Sequence, residues 1–297
     1  MPRYEIAVMP RPMQKQRATL IGTLAIGLWA SLAALTTAAG TIPAFELLSL
    51  SFFIGGVAGL GVVGLRGRLA RLKAPVAVWA VGVGGLFTYH ACYFLALRLA
   101  PPAPASLINY LWPLLIVLLS GLLPGETLQP RHILGALTAF AGVVVLIYAR
   151  GINFHADARA LAGFALALCA AVVWAVYSVV SRRFGDVPSD PVAGFCLVTA
   201  LLAGLLHIAF EPTIVPHSFG PWLAIIVLGL GPVGLAFYVW DYGVKHGDIR
   251  FLGVASYAAP VLSTLLLVIC GYAAPSLSLA LAAGLIVAGA LIARRTT

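Results

Sequence analysis

Ten continuous apolar segments divide the sequence, and each is long enough to cross a lipid bilayer as a helix. The hydrocarbon core of a bilayer requires roughly 20 apolar residues per helical span. The predicted spans are 18–39, 44–65, 75–98, 103–123, 131–149, 160–182, 191–210, 219–244, 250–271 and 275–293. The segments are apolar throughout and do not alternate between apolar and polar residues, which excludes the pattern of a transmembrane barrel. The pattern therefore predicts an all-α integral membrane protein.

The second half of the sequence repeats the first. Pro113 and Pro260 lie 147 residues apart, and at that offset the third to fifth spans align with the eighth to tenth. Trp29 and Trp174 lie 145 residues apart, and the first two spans align with the sixth and seventh at that distance. Each repeat, 18–150 and 151–297, then has five spans, so the second must enter the membrane from the opposite side. Inverted repeats of this kind are typical of alternating-access transporters.

The distribution of charge orients the spans. The chain is 62% hydrophobic and only 9% charged, too apolar for a soluble globule. Of its 18 Lys and Arg, 15 fall in segments on the side of the N-terminus, and only Arg98, Arg150 and Arg159 fall on the other side. The positive-inside rule predicts that both termini are cytoplasmic. The net charge of +9 is thus a topology signal, and no nucleic-acid partner is expected. Residues 1–17, rich in proline and basic groups, are predicted to be a disordered tail.

The stretch Asn109-Tyr110-Leu111-Trp112-Pro113 is unusual for the middle of a span. Pro113 lacks the backbone donor that would bond to the Asn109 carbonyl, and Ser256-Tyr257-Ala258-Ala259-Pro260 repeats this arrangement in the ninth span. We expect both prolines to break their helices and the freed carbonyls to face a central cavity.

Other residues at membrane depth add to this picture. Helical spacing places His90 with Tyr93, Asn109 with Trp112, Trp174 with Tyr177, and Phe237 with Trp240 and Asp241. Buried Trp and Tyr need hydrogen-bond partners that lipid does not offer, so these faces are expected to line a wet cavity, with a dry core as the alternative. Gly84 and Gly231 are candidate hinges. We expect Asp241 to pair with Lys245, and a proton relay is the alternative.

The ten spans, the inverted repeat and the paired prolines resemble the drug/metabolite transporter superfamily of EamA type. The stretch Phe87-Thr88-Tyr89-His90-Ala91-Cys92-Tyr93 together with 109–113 is similar to the bacterial YddG-type exporters of aromatic and other neutral amino acids. The resemblance implies a substrate cavity between the two repeats, in a bacterial inner membrane. It assigns His90, Tyr93, Asn109, Tyr110 and Trp112 to that cavity. The internal repeat adds Trp174, Tyr177, Ser256 and Tyr257.

We therefore expect an exporter of neutral and aromatic amino acids that acts as a monomer, without a cofactor or metal ion. An exporter of planar drugs, purines or nucleosides is the alternative within the same superfamily. A membrane enzyme is disfavoured because Asp186 and Asp190 lack a histidine or metal partner. Facilitated export is expected, and exchange with protons is the alternative.

Overall fold

A computed structural model describes residues 11–125, 127–149, 157–269, 271 and 274–293, and over these residues the chain forms helices and no strand. The α-helices are α1 (Arg11–Ala30), α2 (Leu32–Ala38), α3 (Ala44–Leu65), α4 (Val76–Leu99), α5 (Pro102–Asn109), α6 (Trp112–Ser120), α7 (Pro130–Tyr148), α8 (Ala158–Ser181), α9 (Val192–Phe210), α10 (Phe219–Leu230), α11 (Ala236–His246), α12 (Ile249–Ala255), α13 (Ala258–Ile269) and α14 (Leu277–Ala293). Within the described ranges, nine continuous or bent helices have the length and apolarity to cross a membrane, and α14 is a shorter apolar helix. The all-α membrane fold is confirmed.

The first helix is longer than expected. It begins at Arg11, so residues 11–17 extend the first span and do not belong to the disordered tail predicted for 1–17. Contacts with the second half of the chain lie directly after this extension: the Asp248 N–H donates to the Thr19 hydroxyl at 2.8 Å, and that hydroxyl donates to the Lys15 carbonyl at 2.8 Å. Gly247 lies so close that a Cβ on it would be 2.8 Å from the Thr19 nitrogen. The rest of the predicted tail, residues 1–10, lies outside the described residues.

The fourth and ninth spans are each interrupted. The fourth is divided at Tyr110 and Leu111, between α5 and α6, and the ninth at Ser256 and Tyr257, between α12 and α13. Pro113 is the second residue of α6. A backbone N–H at that position has no partner within its own helix, so proline starts the new helix at little cost.

The eighth span bends through a π-helical segment, Gly231–Leu235, between α10 and α11. Pro232 removes a backbone donor there, and the segment packs directly on α3. A Cβ on Gly55 of α3 would lie 2.8 Å from the Gly234 Cα, so the two backbones are in contact. Gly231 thus lies at an irregular segment. Gly84, its counterpart in the repeat, lies inside the unbroken helix α4, and its role as a hinge stays a prediction.

The helix pairing is symmetric. The most extensive pairs are α1 with α11, α4 with α8, α3 with α9, and α7 with α14. The repeat alignment exchanges the first span with the sixth and the third with the eighth, and the pairing is unchanged by that exchange. The second span packs on the seventh, and the fifth on the tenth. The two repeats therefore interlock about a pseudo-twofold axis.

Candidate functional site

Four tryptophans meet at the centre of the molecule, two from each repeat. Trp29 lies on α1, Trp112 on α6, Trp174 on α8 and Trp240 on α11. The ring centroids of Trp29 lie 5.1 Å from Trp240 and 5.6 Å from Trp174, and Trp112 lies 5.9 Å from Trp240. These are the distances of favourable edge and tilted aromatic contacts. We call these four residues the tryptophan cluster.

Hydrogen bonds fix the orientation of two of these indoles. The Nε1–H of Trp240 donates to the Ser178 hydroxyl at 3.1 Å, and that of Trp29 donates to the Pro232 carbonyl at 3.1 Å. The second bond uses a carbonyl of the π-helical segment. An indole N–H at membrane depth requires such a partner. The irregular eighth span therefore helps to position the cluster.

A group of polar side chains borders the cluster on one side: Tyr89, His90, Tyr93 and Asn109, which we call the polar rim. The Tyr89 ring lies 5.1 Å from Trp174, and its hydroxyl accepts a hydrogen bond from Asn109 Nδ2 at 3.2 Å. The Tyr93 hydroxyl is bonded to Ser106 Oγ at 3.0 Å. His90 Nδ1 donates to the Leu86 carbonyl at 2.6 Å, which leaves Nε2 as an acceptor.

The amide oxygen of Asn109 is different, because it is buried and has no hydrogen-bond partner among the described residues. Leaving a buried acceptor unpaired costs about 1–3 kcal/mol. The amide nitrogen of Asn109 is bonded to the Tyr89 hydroxyl, and in this arrangement the oxygen is left to accept from another group. The site therefore presents one unpaired acceptor, beside four indoles, to any ligand that carries an N–H group.

The third and eighth spans present equivalent faces to this site. At the 147-residue offset, His90 aligns with Phe237 and Tyr93 aligns with Trp240. The ring centroids of His90 and Phe237 lie 6.0 Å apart, with the two rings nearly perpendicular. The same positions of both repeats thus line the centre. The chemistry of the two faces differs. The third span contributes the imidazole of His90 and the hydroxyl of Tyr93, whereas the eighth contributes the larger apolar rings of Phe237 and Trp240.

Six of the nine predicted binding residues lie in the cluster, in the rim or against them, and three do not. Tyr177 packs on Trp174 at 5.2 Å. Tyr110 and Tyr257 instead pack in a second core with α7 and α14. The Tyr257 hydroxyl accepts the Leu114 N–H, and the Ser256 hydroxyl donates to the Leu252 carbonyl. Helix geometry accounts for the placement of Tyr110, since each residue turns the chain by about 100° and the next side chain therefore leaves the face of Asn109.

Several central residues were not among those predicted to bind substrate: Trp29, Tyr89, Phe237 and Trp240. The repeat carried a signal for two of them, because Trp29 aligns with Trp174 and Trp240 aligns with Tyr93. Tyr89 lies inside the stretch 87–93 that supports the family resemblance, one residue before His90. The local sequence does not indicate that Tyr89 belongs to the site, because its contact with Asn109 is formed only in the folded chain.

The cluster is closed at one end and more open at the other. Towards Arg98, His90, Tyr93 and Phe94 are only partly buried. Towards Lys245, Val244 and Leu252 are completely buried. A side cleft of about 280 Å³ between α4 and α8 also reaches the ring of Tyr177, and it is lined by Gly84, Gly85, Thr88 and Val176 among others.

A buried ion pair lies at the closed end. Lys245 Nζ is 2.8 Å from Asp241 Oδ2 and also donates to the Val187 carbonyl at 3.1 Å. The expected pairing of Asp241 with Lys245 is therefore observed. Arg182 donates to the Gly247 carbonyl at 2.8 Å and so joins the same end of α8 to that of α11.

A second charged network lies at the open end, centred on Glu211 after α9. Its carboxylate pairs with Arg98 and accepts the backbone N–H groups of Phe45 and Glu46 at 3.0 and 3.2 Å. His207 Nδ1 lies 3.3 Å from the same carboxylate. The network ties the ends of α3, α4 and α9 together. Sequence reasoning missed it, because Glu211 and Phe45 are 166 residues apart.

Apolar spans in an inverted repeat, arranged around a central aromatic site with charged networks at both ends, define a multi-pass membrane transporter. The model of the EamA-like transporter family matches residues 17–148 and again residues 161–295. The chain belongs to this family, with one copy of the family unit in each half. It is a multi-pass protein of a bacterial inner membrane.

Individual relatives extend the match to nearly the whole chain. A protein of Ancylobacter novellus named aromatic amino acid exporter YddG is 55% identical over 282 residues, which cover 95% of this chain and 98% of that protein. Proteins of the same name from Salmonella typhimurium and Escherichia coli are 28% and 27% identical, each covering 86% of this chain and 88% of its own length. A solved crystal structure with 55% identity has a TM-score of 0.90 and covers 94% of this chain and 96% of its own.

Proposed function

We propose that the chain exports aromatic and other neutral amino acids by alternating access, with the tryptophan cluster and the polar rim as its substrate site. The unpaired amide oxygen of Asn109 carries this proposal. It supplies an acceptor for an ammonium group next to aromatic rings that can hold an apolar side chain. The names of the relatives point to the same class of substrate.

The site is suited to a neutral zwitterion with an apolar side chain. The cluster and the rim contain aromatic, amide, hydroxyl and imidazole groups and no carboxylate, lysine or arginine. We assign the substrate side chain to the faces of Trp112 and Trp174, and the ammonium to Asn109 and the indole faces, which also attract cations. His90 and Tyr93 contribute further polar contacts, and Tyr177 supports Trp174 from behind. Selectivity among apolar side chains is broad, because one methylene in an apolar pocket changes binding by only about 1–3 kcal/mol.

The two ends of the molecule supply the access routes. The conformation described above is closed at the Lys245 end, which the distribution of basic residues places in the cytoplasm, so we interpret it as facing outward. Export requires a second conformation in which the Lys245 end opens and the Arg98 end closes. The repeats 18–150 and 151–297 exchange their conformations to produce it, within a single chain. Transport follows the substrate gradient, because Asp241 is held by Lys245 and the rim carries no acid.

Counterflow in liposomes tests the substrate class. Labelled Phe, Trp, Met and Thr should exchange above the rate of empty liposomes. Trp174→Ala should lower that exchange at least tenfold, whereas Trp222→Ala, at a partly exposed position on α10, should leave it near the wild-type rate. Exchange of a nucleoside or a planar cation without any amino acid would favour the alternative substrate class. Accumulation of substrate driven by an imposed pH gradient would favour proton exchange.

The role of Asn109 has a separate test. Phenylalanine and 3-phenylpropionate share a side chain, but only phenylalanine carries an ammonium group. Asn109→Ala should weaken competition by phenylalanine about tenfold and change competition by 3-phenylpropionate little, since one hydrogen bond to a charged group contributes about 1.5–3 kcal/mol. An equal loss for both compounds would show that Asn109 shapes the site without accepting the ammonium.

A further inference from the structure

The start of α6 depends on a side chain from the opposite repeat. The break at Tyr110 and Leu111 leaves the Leu114 N–H outside the helical hydrogen bonds, and this group donates to the Tyr257 hydroxyl at 3.1 Å. The next turn is regular, because the Leu115 N–H bonds to the Leu111 carbonyl. Tyr257 is completely buried. In a membrane every backbone donor needs an acceptor, so this hydroxyl stabilises the break.

The repeat gives both members of this bond a counterpart. Tyr110 aligns with Tyr257, and Leu114 aligns with Val261. The two sites are not in the same state, however. Trp112, the first residue of α6, aligns with Ala259, whereas α13 begins one residue earlier in the alignment, at Ala258. The Leu114 N–H is bonded to the Tyr257 hydroxyl, and the described residues show no such bond from Val261 to Tyr110. The same motif therefore has two local structures, and only the one at Leu114 is closed by a tyrosine of the other repeat.

The fourth and ninth spans, which are both broken, are in direct contact. Gly253 of α12 faces α6, and a Cβ on it would lie 3.1 Å from the Pro113 carbonyl oxygen and 3.0 Å from Val117 Cγ2. Tyr110, Leu114 and Tyr257 pack in one core with Val117 and Val261. Both tyrosines and both backbone donors, Leu114 and Val261, therefore lie in one core.

We infer that Tyr257 and Tyr110 are positioning residues that alternate as acceptors for the backbone of the opposite repeat. In the conformation closed at the Lys245 end, Tyr257 accepts the Leu114 N–H. In the conformation closed at the Arg98 end, Tyr110 accepts the Val261 N–H, and Leu114 rejoins its own helix. The inference rests on the alternating access proposed above, since an inverted repeat produces its second conformation by exchanging the structures of its halves.

The exchange acts on the substrate site through the chain. Asn109 and Trp112 flank the break that the Tyr257 hydroxyl stabilises, so the bond to Leu114 determines where both side chains stand. When the Leu114 N–H bonds to a carbonyl of its own span, the break between α5 and α6 becomes shorter. The Asn109 amide oxygen and the Trp112 ring then move relative to the other three indoles. The tyrosine pair thus couples the direction of opening to the geometry of the site.

The test compares Tyr257→Phe, Tyr110→Phe and the double variant, each of which loses hydroxyls and keeps its rings. A cysteine-free protein, with Cys92, Cys169, Cys196 and Cys270 replaced, receives one reporter: Phe94→Cys at the open end or Val244→Cys at the closed end. Labelling with a polar maleimide in nanodiscs, where both ends meet water, needs no substrate. Failure of the amino-acid assignment therefore leaves this test intact.

Loss of one hydrogen bond should shift the ratio of the two labelling rates about fivefold. Tyr257→Phe should raise labelling at position 244 and lower it at position 94, Tyr110→Phe should do the opposite, and the double variant should return towards the starting ratio. Tyr148→Phe, at an exposed position on α7, is the control. Shifts of both single variants in the same direction, or an unchanged ratio in Tyr257→Phe, would overturn the inference.

Discussion

The ion pair at the closed end makes a quantitative prediction about stability. Lys245→Met removes the partner of Asp241 while keeping a side chain of similar length. The Lys245 and Asp241 side chains are only 3% and 2% exposed, and their charged atoms are 2.8 Å apart. A buried carboxylate without its partner costs about 3–5 kcal/mol, a large part of the roughly 5–15 kcal/mol that stabilises a typical protein. At about 2–4 °C per kcal/mol, we expect Tm to fall by about 6–20 °C.

The double variant separates charge from packing. In Lys245→Met with Asp241→Asn, no charge remains unpaired, and buried ion pairs are often replaced by neutral residues at little cost. We therefore expect most of the lost stability to return, to within about 2 kcal/mol of the wild type. Lys73→Met, at an exposed position before α4, should leave Tm unchanged and serves as the matched control.

Thermal unfolding in detergent, followed by scanning fluorescence and by the fraction of monodisperse protein, measures these differences. The order expected for Tm is wild type, then the double variant, then Lys245→Met. Unfolding of Lys245→Met within about 1 kcal/mol of the wild type would show that the Asp241 carboxylate is hydrated or neutral, which contradicts the prediction. A double variant as unstable as the single one would show that packing, and not charge, causes the loss.

Three further changes follow from the structure. Gly55→Val should cost about 1–3 kcal/mol in thermal unfolding, because its Cβ would lie 2.7 Å from a carbonyl oxygen of α10, whereas Gly61→Val, with no atom within 4 Å, should not. Glu211→Ala should lower Tm more than Arg98→Ala, because it leaves the Phe45 and Glu46 N–H groups without their acceptor, whereas after Arg98→Ala the carboxylate keeps both of these bonds and its contact with His207. Trp112→Ala should reduce the initial rate of labelled phenylalanine uptake at least tenfold per amount of folded protein, because the ring supplies a large contact surface for the substrate.

Each of these predictions has a contradicting result. Equal stability of the two glycine variants would mean that α3 and α10 can separate freely. A larger effect of Arg98→Ala than of Glu211→Ala would mean that the arginine contributes more to the stability of this network than the carboxylate does. Unchanged uptake after loss of the Trp112 ring would exclude that ring from the substrate site.

The fold could be predicted from the sequence because bilayer thickness limits the length of each span. The third span was expected at 75–98 and is Val76–Leu99, and the second was expected and found at 44–65. The repeat was visible because a few residues, such as Pro113 and Pro260, stand out against an apolar background. The first helix was placed too late, because residues 11–17 are mostly polar and basic and bilayer length marks only the apolar part of a helix.

The site was predicted in part. Asn109, Trp112 and Trp174 stood out because polar and large aromatic groups are unusual at the centre of a span, and the structure places them together. Tyr110 and Tyr257 had the same signal, but each follows the last regular turn of its half-helix and faces a different core. A helical break changes the direction of every later side chain, and a sequence pattern shows the break without showing the new direction.

The tryptophan cluster also has an optical consequence. It contains four of the six tryptophans of the chain, and the rings of Trp174 and Trp240 are nearly parallel, 24° apart, at 6.2 Å. Transitions of indoles this close interact, so the cluster should produce a strong coupled signal in the near-ultraviolet circular dichroism spectrum. Any molecule that enters between the rings would weaken that coupling and change their emission. The protein thus carries a built-in spectroscopic probe of its own centre, which can be read without an attached dye.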